Sequence, residues 1–273
     1  LTRNMSTGVE GIGLSSIHEL NALPAEMREA LYARLIPGEL FDRFRIDRAT
    51  LRGPAGERLV SVTAPEESPW ARVEVRANAS DRDPALLVDV EMSPFSVPEL
   101  AFVQIGDPSS PRYDIDRDAD GQDTLFGTAS RNLAEESRAL ADGLAPGQVR
   151  RGLRFLGKVL STMEAFCRLL GREFYLIEPL FYHSAILYER HGCGYFTGRE
   201  RMEEIHQGFQ PGGPYFSSLD GSTLFRQPGF DKTARGRSWA IHDGVLGEQW
   251  GGIKMYKAAG LHAGLSTFPG GMY

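Results

Sequence analysis

Between Gln148 and Phe196 the chain passes through a long amphipathic stretch, a short apolar run, a second amphipathic stretch and a turn into another apolar run. That order constrains the fold more than any other feature. In QVRRGLRFLGKVLSTMEAFCRLLG the apolar positions from Val149 to Leu170 step by three or four, which predicts one long helix with a core-facing stripe, ended by Gly171. REFYLIEPL reads as a buried strand whose ladder Pro179 must terminate, since proline has no N–H to give. FYHSAILYERHG reads as a second helix and CGYF as a further strand. A helix can hide such a stripe only against another layer, so the segment calls for an α/β (α+β) domain with helices on a sheet.

The flanking sequence supplies that sheet. Residues 1–20 are polar and Gly/Ser-rich and read as a loose N-terminal arm, with the domain over 21–206. Pro24–Leu35 predicts a helix with proline in its first turn, ended by Pro37-Gly38. FRIDRATL, RLVSVTA, ARVEVRA, ALLVDVEM and ELAFVQI then predict five strands joined by short turns, hence a twisted, mostly antiparallel mixed sheet with ALLVDVEM near its centre. Asn132–Asp142 reads as a short helix capped by Asn132. Residues 207–273 hold 14 glycines and 4 prolines but also ten aromatics, too many for a disordered tail. They read as an irregular C-terminal extension packed outside the domain or on a second subunit, with a hairpin around SWAIHDGVLGEQW and helical spacing only at Ile253–Ala259.

A net charge of −6 argues against a nucleic-acid partner, and no apolar run approaches the roughly 20 residues of a membrane helix. Two cysteines, Cys167 and Cys193, make no disulfide framework, and no leader pattern opens the sequence, so the expected compartment is the cytoplasm. Cys167 falls on the apolar stripe and reads as a small buried hydrophobe.

SAILYERHGCGYF, following a strand that ends in Glu-Pro, resembles the last conserved part of the GCN5-related N-acetyltransferase superfamily; Ser184, Ala185, Leu187, Tyr188, Glu189, Arg190 and Gly192 carry the match. Phe181 stands where that family has an asparagine, and Cys193 where it has a phenylalanine. The resemblance implies an acyl-CoA (acetyl-CoA) cofactor, with Tyr188 beside its thiol and able to return a proton to the leaving thiolate. It implies that the strands at Phe174 and Cys193 splay into a V for the pantetheine arm. It also implies a phosphate loop of the form Arg/Gln-x-x-Gly-x-Gly/Ala entering a helix, where backbone N–H groups and small residues let an anion approach.

Two registers offer such a loop: Arg154-x-x-Gly157-x-Val159 and Val149-x-x-Gly152-x-Arg154. Arg150, Arg151, Gly152, Arg154 and Gly157 are therefore the cofactor-binding candidates; otherwise the cations are the solvated face of the helix. A family base on a central strand points to Glu91 or Glu99, and Tyr182 and His183, at the mouth of the FYLIEPL strand, are candidate substrate-pocket residues. Asp116-x-Asp118-x-Asp120-Gly121 matches the first half of a calcium loop, but position twelve is Gly127; it is either a site completed by Asp123 or a distant carboxylate, or a solvated turn. The function expected is transfer of an acyl group from acyl-CoA to a small-molecule amine. The alternatives are a non-catalytic ligand- or partner-binding protein of the same fold, associating through its C-terminal extension as a homo-oligomer, and a calcium-stabilised structural module.

Overall fold

The computed structural model describes residues 13–273. Three short helices lead: α1 (Ile17–Asn21), α2 (Ala25–Tyr32) and α3 (Gly38–Phe44). The loose arm does not extend to residue 20, because Ile17 and Leu20 are fully buried; residues 1–12 lie outside the described residues. The first helical stretch ends at Leu35, before Pro37-Gly38 as expected, and Pro37-Gly38 then opens α3. Leu40 and Phe41 are buried on its inner side, and Arg45 closes it in the left-handed region at φ 52°. FRIDRATL is consequently a helix end and a turn, not a strand, with the Asp47 carboxylate collecting the amides of Ala49 and Thr50.

The other four expected strands form an antiparallel meander of β1 (Val60–Thr63), β2 (Trp70–Val75), β3 (Leu86–Met92) and β4 (Pro98–Ile105). Alternation sorts their side chains: Val73, Val88 and Val90 face the core, while Arg72 donates two 2.7 Å hydrogen bonds to Asp89 on the outer face. Ala101 is the extra residue of a bulge on β4, since Leu100 pairs with Val90 and Phe102 with Asp89. The full sheet has seven strands in the order β1-β2-β3-β4-β5-β7-β6, with β5 at Phe174–Ile177, β6 at Gly194–Thr197 and β7 at Lys254–Ala258. β4 and β5 run parallel and the other neighbours antiparallel.

Between β4 and β5 lie α4 (Leu133–Ala141), capped by the Asn132 side chain, and α5 (Leu156–Leu169). α5 is shorter than the apolar spacing predicts. Residues 149–151 are instead held against the preceding loop, Tyr113 N–H donating to Val149 O and Asp107 N–H to Arg151 O, and Arg154 turns through φ 61° before the helix begins. From there Val159, Met163, Phe166 and Cys167 enter the core, where Phe166 stacks on Tyr32 at 5.7 Å. Val149 joins a separate small cluster with Tyr113, Ile115, Ala139 and Leu144.

α6 (Tyr182–Arg190) links β5 to β6, and α7 (Arg199–Gly208), α8 (Pro214–Ser217) and α9 (Ala234–His242) follow. The C-terminal residues do not merely pack outside. The expected hairpin at 238–250 is α9 and the turns after it, and the expected helical spacing at Ile253–Ala259 is β7, paired on both sides between β5 and β6. Among the described residues no helix is long and apolar enough to cross a membrane.

Since β7 is interior, a chain stopped after Gly252 should show no cooperative thermal transition by circular dichroism; a cooperative melt would mean the sheet stands without it. The milder Met255→Ala, at a site with 0% exposure, should cost about 2–4 kcal/mol in chemical denaturation.

Candidate functional site

β4 and β5 pair only at Glu99–Leu176 and Leu100–Ile177. Past Leu100 they part, because β5 runs into Glu178 and Pro179, and a proline cannot continue a ladder. The V that opens is a cleft of about 720 Å³. β4 from Leu100 to Ile105 forms one wall, α6 the other, and the loop from Asp142 to Leu156 the rim. The strands at Phe174 and Cys193, expected to splay, are instead separated by β7, so the opening lies on the other side of β5.

Several expected residues meet in this cleft. Tyr188 projects from α6, 6% exposed, and its hydroxyl makes no hydrogen bond to a described residue. Burial pushes its phenol well above the usual range, so it stays protonated. Arg151, Gly152 and Arg154 line the rim. Just behind them the first turn of α5 has no side-chain cap, and the amides of Leu156, Gly157 and Lys158 have no acceptor among the described residues. Such a turn carries the positive end of the helix dipole. Gly157 is there for packing: a Cβ on it would lie 2.9 Å from the His191 ring. Arg154 forms no ion pair among the described residues, so the first register, expected to fall inside a helix, in fact straddles a helix start.

Other candidates are used elsewhere. Arg150 also lines the cleft, but it is bound to Asp83 at 3.0 Å and to the Ser110 carbonyl, in a network with Arg112. Tyr182 is buried away from the cleft, accepting from Arg237 at 3.3 Å and edge-on to Trp250. Glu91 and Glu99 face each other across β3 and β4 and do not line the cleft. Burial, then the neighbouring Glu99 charge, raises the Glu91 carboxyl. Lys254 bonds Glu99 and reaches Glu178 at 3.0 Å, and Glu178 does line the cleft. The expected base thus stands behind the wall, and a carboxylate that sequence patterns did not single out stands on it.

Protein donors take most of the acidic loop's carboxylates, although Asp116 Oδ1 is buried with no partner among the described residues. Asp116 bonds Arg112 at 2.7 Å, and one Asp118 oxygen takes the amides of Asp120 and Gln122. Among the described residues no group of three or more ligating side chains converges as a metal site requires.

Sequence reading missed what residues 106–155 and the C-terminal extension do to the cleft. Phe126 stacks on Phe102 of β4 at 5.6 Å. Gly147 touches the Phe181 ring so closely that a Cβ would lie 2.3 Å from it. α9 ties this roof down: Trp239 donates to Leu144 O at 2.8 Å, His242 meets Glu136 at 2.9 Å, and Arg131 joins Glu136 to Asp243. α9 also holds His183, expected as a pocket residue and found there with 4% exposure, by placing the Ser238 hydroxyl 2.9 Å from its Nδ1. Burial, then the charges of Arg235 and His242, lowers His183 to about 3, so the ring is neutral. No family model matches this chain, and neither curated proteins nor solved structures give a match to it.

His183 must take a proton on unfolding below its ordinary pKa of roughly 6.5. Its folded value of about 3 is depressed, so its contribution is fully present above roughly pH 6.5 and falls away as pH drops from there toward 3, by up to about 1.4 kcal/mol per pH unit. In urea denaturation His183→Asn should flatten that slope; an unchanged slope between pH 4 and 6.5 would contradict a buried neutral ring.

Proposed function

We propose that the protein is an acyl-CoA-dependent N-acyltransferase, a divergent relative of the N-acetyltransferase superfamily, acting on a small-molecule amine. The observation that carries this reading is the parting of β4 from β5, with a buried, protonated tyrosine on one side and an uncapped helix start at the rim. A parallel pair that splays gives an extended thiol-bearing arm a slot edged by unpaired strand backbone. Free N–H groups and an arginine suit a pyrophosphate.

In this reading Arg154 and the first amides of α5 hold the pyrophosphate, and Arg150 serves only to brace the loop through Asp83. The acceptor's amine attacks the acyl carbonyl carbon, the carbon–sulfur bond breaks, and the Tyr188 hydroxyl gives its proton to the departing thiolate. The amine sheds a proton to Glu178, the carboxylate on the cleft wall that Lys254 orients. Burial acts on both partners of the tyrosine step in the same direction. It keeps the phenol protonated, and it makes a thiolate a strong base, as it does for Cys167 and Cys193, whose thiols burial pushes up to about 12. The non-catalytic alternative draws support from Phe181, whose ring crosses to Gly147 where the family carries an asparagine.

Acetyl-CoA titrated into the protein should raise its melting temperature by mass action, and no shift at millimolar ligand would end the acyltransferase reading. Arg154→Ala should weaken acetyl-CoA by roughly tenfold or more, the size of a lost charge-assisted hydrogen bond, without moving the apo melting temperature. Arg150→Ala should instead lower the apo melting temperature. With an amine found by screening, Tyr188→Phe should cut kcat by roughly a hundredfold in a thiol-release assay and leave acetyl-CoA affinity unchanged.

A further inference from the structure

The roof of the cleft carries two cations without an ion pair among the described residues, although Arg235 also lies over the Tyr273 ring at 6.0 Å. Arg235 of α9 and Arg151 of the rim both reach the Asp142–Gly143 turn. The Nη1 of Arg235 stands 3.0 Å from where a Cβ on Gly143 would sit, and the Nη2 of Arg151 donates to Asp142 O at 3.2 Å. Neither makes an ion pair with a described carboxylate. This departs from the pattern around them, where Arg131 and Arg226 share Asp243 and Arg112 and Arg150 share Asp83. Asp142, the acid on the turn itself, accepts from the Tyr113 hydroxyl.

His183 lines the same part of the cleft. The Ser238 oxygen accepts the His183 amide at 3.4 Å, and the hydroxyl has no other acceptor among the described residues than Nδ1, 2.9 Å away, so we assign its proton to that contact. Nδ1 is then the acceptor, and the ring carries its hydrogen on Nε2, which makes no hydrogen bond to a described residue. The ring is thus a fixed, uncharged donor with its free N–H unsatisfied by protein.

We propose that Arg235, Arg151 and His183 form a second anion subsite in the cleft, suited to a phosphate monoester. Two guanidiniums match a dianion with several acceptor oxygens better than a single carboxylate, and a neutral N–H adds a directed bond without adding charge. The subsite is distinct from the uncapped start of α5. That helix start abuts His191, eight residues further along α6 than His183, or about 12 Å at 1.5 Å per residue. One anion cannot occupy both. Arg235 belongs to the C-terminal extension, so the subsite is something this extension adds to the α5–β5–α6 unit. Its monoester comes either from the cofactor, as the 3′-phosphate of coenzyme A, or from a phosphorylated acceptor. The cofactor source rests on the acyltransferase reading; the subsite does not.

Calorimetry at low ionic strength tests this with inorganic phosphate, coenzyme A, dephospho-coenzyme A and a phosphorylated amine, on the wild type, Arg235→Gln and Arg235→Lys. Inorganic phosphate should bind the wild type, about tenfold more weakly Arg235→Gln, and Arg235→Lys in between, with all three apo melting temperatures alike. A preference for coenzyme A over the dephospho form that vanishes in Arg235→Gln identifies the cofactor as source. An Arg235-dependent preference for the phosphorylated amine identifies the acceptor. Phosphate binding that is absent, or equal in wild type and Arg235→Gln, overturns the subsite. If dephospho-coenzyme A still binds in that case, the acyltransferase reading survives alone. If phosphate binds through Arg235 while neither coenzyme form binds, the subsite stands and that reading falls.

Discussion

One missing N–H governs the centre of this molecule. β4 and β5 start as parallel neighbours, and two residue pairs later Pro179 removes the donor that the ladder needs. The candidate site is arranged around the gap. The bulge at Ala101 turns β4 as it leaves its partner, α5 and α6 enter from the two separated strand ends, and Tyr188 looks into the space between. A sheet that stayed paired there would be a better sheet and would hold nothing.

The gap is closed over by parts of the chain remote in sequence. Residues 106–155 have a core of their own, small enough that it depends on attachment: Tyr113, Ile115, Ala139, Leu144 and Val149 are too few to stand alone. Its attachment to α9 is polar. Glu136 is almost fully buried, yet both its oxygens are used, one by His242 and the other by Arg131, which continues to Asp243. Arg131 and His242 donors outweigh burial and hold the Glu136 carboxyl below its ordinary range. Buried charge of this kind is costly unless every member is satisfied, and satisfied it fixes one geometry. The roof is therefore placed by hydrogen bonds whose directions leave little freedom.

Much of this was legible in the residues, and the exceptions have physical causes. The meander could be read because period-two alternation shows wherever one face is wet and the other buried, as in ARVEVRA. β7 could not. Lys254, Met255, Lys257 and Ala258 are residues that favour helices, and what makes them a strand is a partner on each side, a tertiary effect with no local signature. The start of α5 was misjudged because Val149 and Leu153 keep helical spacing while Val149 serves a different core. Tyr188 and His183 were recoverable from the strand and helix that carry them. Arg235 and Glu178 were not, since nothing near them in sequence marks the cleft they face.

The position of β7 sets the order in which the molecule can be finished. β5 is complete by residue 177 and β6 by residue 197, but the strand that joins them is drawn from residues 254–258. During synthesis, at roughly 5–20 residues per second, both strands wait several seconds with open edges and an apolar face unfilled. Exposed edges of that kind recruit other chains. The contact that completes the sheet is thus also the one that ends the nascent chain's exposure to misassembly, and a substitution in KMYKA that barely alters the finished protein can still lower the fraction that reaches it.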